Sequence, residues 1–407
     1  MQRLTRAVVL KQYSEDYDLS VGPANLPLLQ PNQVLVRLEY ASVSATDIRF
    51  LQGHCPVVRA LPAVPGFEAS GTVVETGSRL KNWRFQGKRV GVFALDSGLP
   101  GAWAEYAVVQ SRHCFLLNDT ITFEQAAGLF QTPLTVCMFE EAIGKGKGVI
   151  QTGGCSAVAK TLLRVCNYKA LACVCVISSP EEAASLTELG ARYILLGSDP
   201  DFQAKAASLC AELKVTVAFD CQGGGVAGQV FNAMQPGGVL YTYEETNSVP
   251  TISHISPSAL IFDKKKIMGL NLFVWFEGKY ALQKVQICSH IQQYYFMYRQ
   301  EVVGVYPIHE VRSALQRARE VGRLGKVLIQ LRETPVIKLP SETAKVSKEE
   351  AKETIERDNP AFELNKDLQA EYSSASKAVR TVEALLGSDD VEEVEITAHD
   401  LSLSSKP

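Results

Sequence analysis

The sequence predicts an α/β fold in which a β-rich region precedes a doubly wound parallel sheet and an acidic C-terminal tail. Turn residues separate short runs of alternating apolar and polar residues over about the first 120 positions. From residue 149 onward, strand-like and helix-like runs alternate, which is the pattern of a parallel sheet with right-handed helical crossovers. The chain has 407 residues, of which 46% are hydrophobic and 21% charged, so it is long enough for two domains and additional material.

The N-terminal region is predicted to be an antiparallel β domain with barrel-like closure. The runs with strand periodicity are RAVVLKQY, QVLVRLEYASV, ASGTVVETG, KRVGVFAL and AEYAVV. Runs of this length, separated by turn residues, are typical of antiparallel strands. A helical spacing of apolar residues follows at Thr122–Gly144.

The second half is predicted to be a parallel sheet covered by helices. Its alternating segments are VIQTGG, AKTLLRVC, LACVCVI, EEAASLTELG, YILL, DFQAKAASLCAEL and VTVAFDC. Pro236-Gly237-Gly238 then turns the chain into the strand VLYTYE. Further predicted elements are a strand at Ile267–Phe276, a helix from about Tyr280 to Tyr298, and a helix at Val311–Val321 between strands at Val302–Pro307 and Lys326–Leu331.

Residues 149–166 form the segment most informative about function. Val149 and Ile150 begin a buried strand, a small-residue turn follows at 153–157, and an apolar-faced helix comes next. Unpaired N–H groups at a helix N-terminus attract anions such as a dinucleotide pyrophosphate. Ala157 and Ala159 stand where two of the three usual glycines are expected, so this segment alone is also compatible with a strand–loop–helix that binds no ligand.

Composition excludes several functional classes. The net charge of −3 implies no general attraction to nucleic acid, and no apolar run is long enough to span a bilayer. The 10 cysteines lack the spacing of a disulfide framework, so we expect reduced thiols in an intracellular protein. Because a strand already begins at about Ala7, a removable presequence is disfavoured. A cytoplasmic location is therefore expected, with a mitochondrial one as the alternative.

The tail has a different composition from the rest of the chain. Residues 338–407 contain 16 acidic and 9 basic side chains and only two aromatic residues, Phe362 and Tyr372. Such a segment can bury little apolar surface. We predict that residues 333–407 form an acidic tail that is either helical or disordered, and that docks a protein partner if it is ordered.

Six further segments follow one another along the chain: AVPGFEASGTVVETGS, VIQTGGCSAVAK, FDCQGG, PGGVLYTY, SALIFDKKKIMGLNLFVW and GRLGKVLI. In this order they resemble the medium-chain dehydrogenase/reductase superfamily, specifically its zinc-free branch of quinone oxidoreductases and trans-2-enoyl-thioester reductases. The resemblance spans roughly residues 5–332. It implies a GroES-like catalytic domain at 1–120 completed by 288–332, a Rossmann domain at 121–287, and a homodimer joined through an edge strand at Met268–Trp275.

The resemblance also implies that the chain binds no zinc. Zinc-dependent members of the superfamily hold their catalytic metal with a cysteine and a histidine, and here Ser44 and Phe67 occupy those positions. A group of four cysteines that would form the structural zinc site is missing between Phe93 and Cys114. Neither tetrahedral site can be assembled from the residues that remain.

The cofactor implied by the resemblance is NADPH. The strand LACVCVI ends at Ser178-Ser179, and the absence of a carboxylate there leaves room for a ribose 2′-phosphate. Glu181 and Glu182 follow where a cation would normally bind that phosphate, so weak or lost binding is the alternative. The residues expected to contact the cofactor are Thr135, Gly153, Gly154, Ser156, Ala157, Val158, Ser178, Ser179, Gly223, Gly224, Tyr243 and Lys326.

The implied activity is hydride transfer to an α,β-unsaturated carbonyl, an enoyl thioester or a quinone. Cys55 occupies the position of a tyrosine found in family members, and Trp275 matches a tryptophan of the substrate channel; these two are the predicted catalytic residues. A catalytically degenerate relative, acting as a structural or regulatory subunit of a larger assembly, is the rival interpretation.

Overall fold

A computed structural model describes residues 3–78, 83–144, 146, 148–244, 251–321 and 325–332. The predicted tail at 333–407 lies outside the described residues. The strands, in chain order, are β1 (Arg3–Gln12), β2 (Asp18–Leu26), β3 (Gln33–Val43), β4 (Glu68–Thr76), β5 (Arg89–Phe93), β6 (Tyr106–Gln110), β7 (Cys114–Leu116), β8 (Gly148–Gln151), β9 (Ala172–Ile177), β10 (Tyr193–Leu196), β11 (Val215–Asp220), β12 (Val239–Thr242), β13 (Lys266–Gly269), β14 (Val302–Pro307) and β15 (Lys326–Gln330).

Helices follow most strands of the second half. The α-helices are α1 (Ala45–Gln52), α2 (Phe123–Ala126), α3 (Gln131–Ile143), α4 (Ala157–Tyr168), α5 (Glu182–Glu188), α6 (Phe202–Glu212), α7 (Gly224–Ala233), α8 (Pro257–Ile261), α9 (Leu272–Glu277), α10 (Ala281–Gln293), α11 (Tyr295–Tyr298) and α12 (Val311–Val321). None of the helices described is long and apolar enough to cross a bilayer.

The β-rich part is a seven-stranded sheet with a two-stranded hairpin beside it. The order along the sheet is β14-β15-β3-β4-β5-β7, with β6 also pairing with β3, while β1 pairs with β2. The last two strands of the described chain therefore join the sheet built by the first part, because β15 pairs antiparallel with β3.

The second sheet has six parallel strands in the order β10-β9-β8-β11-β12-β13. The chain runs outward from β8 to β10, then returns to the other side of β8 with β11. The strand order therefore reverses at β8, and ligands of such sheets bind beyond the carboxyl ends of the strands at this switch point. The predicted α/β class and parallel sheet are confirmed.

The predicted strand at Ile267–Phe276 is wrong beyond its first residues. The strand ends at Gly269, and the Asn271 side chain accepts hydrogen bonds from the backbone N–H groups of Phe273 (2.9 Å) and Val274 (3.1 Å). An asparagine in this role starts a helix, so Trp275 lies on α9 and the edge strand proposed for dimerisation is shorter than predicted.

Two predicted helices are each divided. Thr122–Gly144 comprises α2 and α3, and the helix expected from about Tyr280 to Tyr298 comprises α10 and α11. The predicted helix at Val311–Val321 is confirmed with the same bounds.

A chain of aromatic rings packs α9 against the β-rich part. Phe273 stacks on Phe67 at a centroid distance of 5.9 Å, and Phe276 packs edge-on against Phe93 (5.8 Å) and Phe115 (5.7 Å). Aromatic pairs of this kind contribute about 0.5–1.5 kcal/mol each beyond their buried area. They fix the position of α9, which forms part of the site described next.

Candidate active site

A cleft of about 720 Å³ opens at the carboxyl ends of β8, β11 and β12. Its opposite wall is the segment that begins with α1, and residues near the start of β15 also contribute. The residues around it are Val43, Ser44, Ala45, Thr46, Ile48, Arg49, Cys55, Pro56, Gln131, Thr132, Thr135, Met138, Gly153, Cys155, Ser156, Ala157, Val158, Glu182, Cys221, Gln222, Gly223, Thr242, Tyr243, Glu244, Thr251, Ile252, Leu270, Asn271, Leu272, Phe273, Ala318, Gly325 and Lys326.

The turn between β8 and α4 packs closely against its neighbours. Gly153 has φ 61°, and a Cβ atom added there would lie 2.5 Å from the Cys221 Sγ atom, so only glycine fits. Gly154 donates its N–H to the Val176 oxygen (2.9 Å), which ties the turn to β9. Ser156 caps α4 by accepting a hydrogen bond from the Ala159 N–H (3.1 Å).

Of these turn residues, Gly153, Ser156, Ala157 and Val158 line the cleft and Gly154 does not. Both alanines at the expected glycine positions lie in the first turn of α4. Ala159 is fully buried, and its backbone oxygen accepts a hydrogen bond from the Gln151 side chain (3.0 Å).

The loop after β11 is held by a buried carboxylate. The Thr152 hydroxyl donates to Asp220 (2.7 Å), and the same carboxylate accepts the N–H of Gly223 (3.0 Å). This brings Gly223 and Gln222 to the cleft, whereas Gly224 does not line it. Tyr243, after β12, also lines the cleft, and its ring packs edge-on against Phe139 at 4.8 Å.

The end of β9 differs from the expectation for the adenosine ribose. Ser178 and Ser179 do not line the cleft, but Glu182 and Gln222 do. The Glu182 carboxylate accepts the Ser178 N–H (3.0 Å), and the Gln222 amide donates to the Ser178 hydroxyl (2.6 Å). A carboxylate thus lies beside Ser178 at the end of β9. Glu181 immediately precedes α5 and lies outside the cleft, and a hydrogen bond from Ser179 lowers the pKa of its carboxyl group.

Lys326 lines the cleft and also neutralises a buried acid. Its ammonium group lies 3.8 Å from the carboxylate of Glu68, which is completely buried. That carboxylate also accepts hydrogen bonds from the Gln131 N–H (3.0 Å) and the Ser42 hydroxyl (3.2 Å). Burial raises the pKa of Glu68, and the charge of Lys326 opposes this shift.

The positions of the zinc ligands in zinc-dependent relatives have other roles here. Ser44 caps α1, where its N–H (2.8 Å) and hydroxyl (2.5 Å) donate to Asp47, and Phe67 is a buried ring. Burial raises the pKa of Asp47 to about 6. Within the described ranges, no group of three or more His, Cys, Asp or Glu residues is arranged to hold a metal ion.

The two predicted catalytic residues lie in different places. Cys55 lines the cleft at 7% exposure, and burial raises the pKa of its thiol, so the group is neutral. Trp275 does not line the cleft: its indole N–H donates to Glu141 (2.8 Å), and Lys279 packs over its ring at 4.8 Å. The side chains of α9 that line the cleft are those of Leu272 and Phe273.

Two charged residues in the cleft were not predicted from the sequence. Arg49 belongs to α1 and Glu244 follows β12. Nothing in a motif distinguishes either residue. The placement of Glu244 directly after a strand that ends at the ligand-binding edge was the available signal. The remaining predicted cofactor residue, Thr135, lines the cleft, and its hydroxyl donates to the Gln131 oxygen (2.9 Å).

Comparisons with known proteins agree with this arrangement. Residues 30–119 match the alcohol dehydrogenase GroES-like domain family. A mitochondrial enoyl-[acyl-carrier-protein] reductase of Arabidopsis thaliana is 26% identical over 341 residues, which cover 79% of this chain and 86% of the relative. A Mesorhizobium loti structure assigned as an NADPH:quinone reductase superposes with a TM-score of 0.73 at 26% identity, covering 80% of this chain and 98% of that one.

A third similarity concerns a structure solved with ligands. The complex of Etr1p with NADP and crotonyl-CoA has a TM-score of 0.68 at 21% identity, covering 81% of this chain and all of that one. The fold combines a GroES-like domain with a Rossmann-type parallel sheet. The chain is similar to members of the medium-chain dehydrogenase/reductase superfamily that include quinone oxidoreductases and enoyl-thioester reductases, so the predicted resemblance is confirmed.

Proposed function

We propose that the chain is a zinc-independent NADPH oxidoreductase that reduces an α,β-unsaturated carbonyl, an enoyl thioester or a quinone. One observation carries the proposal: a single cleft combines a dinucleotide-type turn at the switch point of a parallel sheet with a thiol and apolar side chains suited to an acyl or ring substrate. The NADP and crotonyl-CoA of the Etr1p complex give a precedent for both kinds of ligand on this fold.

The residues proposed to bind the cofactor divide into three groups. The β8–α4 turn is proposed to bind the pyrophosphate, the segments after β9, β11 and β12 to border the adenosine and nicotinamide, and side chains of the opposite wall to complete the site. In that order they are Gly153, Gly154, Ser156, Ala157 and Val158; Ser178, Ser179, Gly223, Gly224 and Tyr243; and Thr135 and Lys326. Because Gly154, Ser178, Ser179 and Gly224 do not line the cleft, the proposal rests on the other residues. The carboxylate of Glu182 fits a 2′-phosphate poorly.

The protein's own residues orient and desolvate the substrate. The cofactor, when bound, supplies a hydride. Leu272 and Phe273 offer apolar surface to the acyl chain or ring, and the neutral Cys55 thiol can donate a weak hydrogen bond to the substrate carbonyl. Trp275 supports this surface from the far side of α9, as a positioning residue.

The rival function is a structural or regulatory subunit that no longer turns over. The observation that favours it is the closed end of the adenosine site, where Glu182 and Gln222 are both hydrogen-bonded to Ser178. Under this alternative the acidic tail at 333–407 docks a protein partner.

Titration with NADPH, followed by fluorescence, separates the two functions. We expect binding, and oxidation of bound NADPH when crotonyl-CoA or a quinone is added. Absence of binding at millimolar NADPH would reject the reductase, and binding without oxidation by either class of acceptor would favour the regulatory subunit. Imaging of the tagged full-length chain tests the cytoplasmic location against the mitochondrial one named for the plant relative.

A further inference from the structure

We infer that Glu244 is the residue that protonates the substrate α carbon. The inference rests on the proposed reductase function. Hydride addition to a conjugated C=C bond leaves an enolate, which must then be protonated. Cys55 stands where family members carry a tyrosine, so a different acid is needed if a thiol is too weak a donor.

The backbone places Glu244 at the ligand-binding edge of the parallel sheet. Tyr243 N–H donates to the Asp220 oxygen (3.1 Å), and Leu270 N–H donates to the Thr242 oxygen (2.8 Å). These bonds continue the sheet pairing just beyond β12. Glu244 therefore leaves the sheet at its carboxyl edge, where Thr242, Tyr243 and Glu244 all line the cleft.

Glu244 faces charged and titratable groups from several elements. Arg49 of α1 and Lys326 of β15 favour its ionised form, while burial has the larger effect and raises the pKa of its carboxyl group. Cys221 and Tyr243 are its other titratable neighbours, and the Glu244 charge raises the pKa of each. A carboxyl group whose pKa is shifted upward towards neutrality is a suitable general acid.

The other proton-bearing groups of the cleft are less suited to this step. Burial raises the already high pKa values of the Cys55 thiol and the Tyr243 phenol, so both release a proton with difficulty. Glu182 accepts the Ser178 N–H at the end of β9, away from the Cys55 wall. Glu244 is the acid next to both the β11 loop and the α1 wall.

The reduction consists of a hydride addition followed by a proton transfer. A hydride from the bound cofactor forms a C–H bond at the β carbon, and the π electron pair of the C=C bond moves through the α carbon onto the carbonyl oxygen. The enolate then forms a C–H bond at the α carbon with the proton of the Glu244 carboxyl group. The O–H electron pair stays on Glu244 as carboxylate, which regains a proton from water. The substrate gains two electrons and two hydrogens, and the cofactor is oxidised by two electrons.

The test uses the full chain in D₂O with NADPH and crotonyl-CoA. Turnover, NADPH affinity, and the configuration of the deuterium at the product α carbon are compared in wild type, Glu244→Gln, Glu244→Asp and Cys55→Ala. Glu188→Gln, at an exposed position on α5, is the matched control for loss of one negative charge. Thermal unfolding confirms that each variant is folded.

We expect Glu244→Gln to lower turnover by about 100-fold or more, with NADPH binding retained and the α-deuterium configuration randomised because water then protonates the enolate. The fall of wild-type kcat/KM as pH rises through the Glu244 pKa disappears in this variant. Glu244→Asp keeps a carboxyl group and partly restores turnover and configuration.

If Glu244→Gln keeps the wild-type turnover and α-deuterium configuration, the inference is overturned and the proposed function stands. The same holds if the α-deuterium configuration is randomised in Cys55→Ala and not in Glu244→Gln. If Glu244→Gln does not fold, Glu244→Asp with an unshifted pH profile would overturn it. A wild type that binds NADPH but reduces neither acceptor class would reject the proposed function and the inference together.

Discussion

The turn between β8 and α4 shows how single residues shape the cleft. Gly153 combines φ 61° with a close approach to Cys221, whereas Gly237 has φ 74° and open space around it. The first glycine therefore has two reasons to lack a side chain and the second has one. Alanine substitutions at the two positions therefore distinguish the cost of backbone strain, which both share, from the cost of steric overlap, which arises only at Gly153.

Gly153→Ala is expected to destabilise the protein by at least about 1 kcal/mol more than Gly237→Ala. Both variants carry the cost of a left-handed residue, about 1–2 kcal/mol, but only Gly153→Ala also forces the Cys221 side chain away. Chemical denaturation measures the difference. Equal losses of stability would show that the turn relaxes freely around Cys221.

Glu182→Gln is expected to strengthen NADPH binding about fivefold to tenfold. The substitution removes a negative charge near the site proposed for the ribose 2′-phosphate, while the amide oxygen can still accept the Ser178 N–H. NADH, which has no 2′-phosphate, should gain much less. Fluorescence titration of both cofactors tests this, with Glu188→Gln as control, and equal gains for the two would place the phosphate elsewhere.

At the scale of elements, helix starts decide which side chains enter the cleft. Ser44 and Asp47 form a capping box at α1, and Asn271 caps α9. The cap at Ser44 sets the direction of α1, so that Arg49 lines the cleft. The cap at Asn271 starts α9 just after β13, so the chain leaves the edge of the parallel sheet there. Because Asp47 is completely buried in its cap, its titration is linked to stability.

Asp47→Asn is expected to flatten the pH dependence of stability between about pH 4 and pH 6. The folded-state pKa of about 6 lies above the usual 3.8, so the folded protein holds more protons in this window. The wild-type free energy of unfolding therefore falls as pH rises, by about 3 kcal/mol from this group. The pKa of Glu68 is also raised, so this group too makes the free energy of unfolding fall as pH rises. The contribution of Asp47 is therefore the difference in pH dependence between wild type and Asp47→Asn.

Urea denaturation at several pH values provides that difference. Asp16→Asn, at an exposed position, is the control and should keep the wild-type slope. A variant Asp47→Asn with the same slope as wild type would contradict the raised pKa.

The periodicity of apolar residues predicts most strands and helices of the chain, but it does not identify the residues that cap the helices. Val311–Val321 has a clear apolar face and was predicted with the right bounds. The apolar residues at 267–276 have the composition of a strand, but Asn271 caps a helix within this run. Glu182 enters the cleft while its carboxylate accepts the N–H of Ser178, four residues earlier in the chain. The spacing of residues along a strand does not reveal a contact of this kind.

At the scale of the whole molecule, each of the two large sheets has an edge strand that exposes an apolar side chain. β13 is the edge of the parallel sheet, and Met268 on it is 48% exposed. β14 is an edge of the other sheet, where Val305 is 41% exposed. The homodimer implied by the family resemblance would use the first of these edges.

Met268→Lys is therefore expected to convert a dimer into a monomer, because a charged edge strand disfavours pairing with a second copy. Val305→Lys, a matched change on the other edge, should leave the mass unchanged. Light scattering coupled to gel filtration reports both. A wild type that is already monomeric, or a dimer lost only in Val305→Lys, would reject the proposed dimer edge.

The pairing of Lys326 with Glu68 has a consequence for any anion that enters the cleft. One ammonium group serves both a buried carboxylate and the cleft. An anionic ligand that draws this cation towards itself weakens a positive charge that lowers the Glu68 pKa. Ligand binding and proton uptake are then thermodynamically linked, so the heat of binding depends on the ionisation enthalpy of the buffer, and the affinity for the anion increases as the solution becomes more acidic.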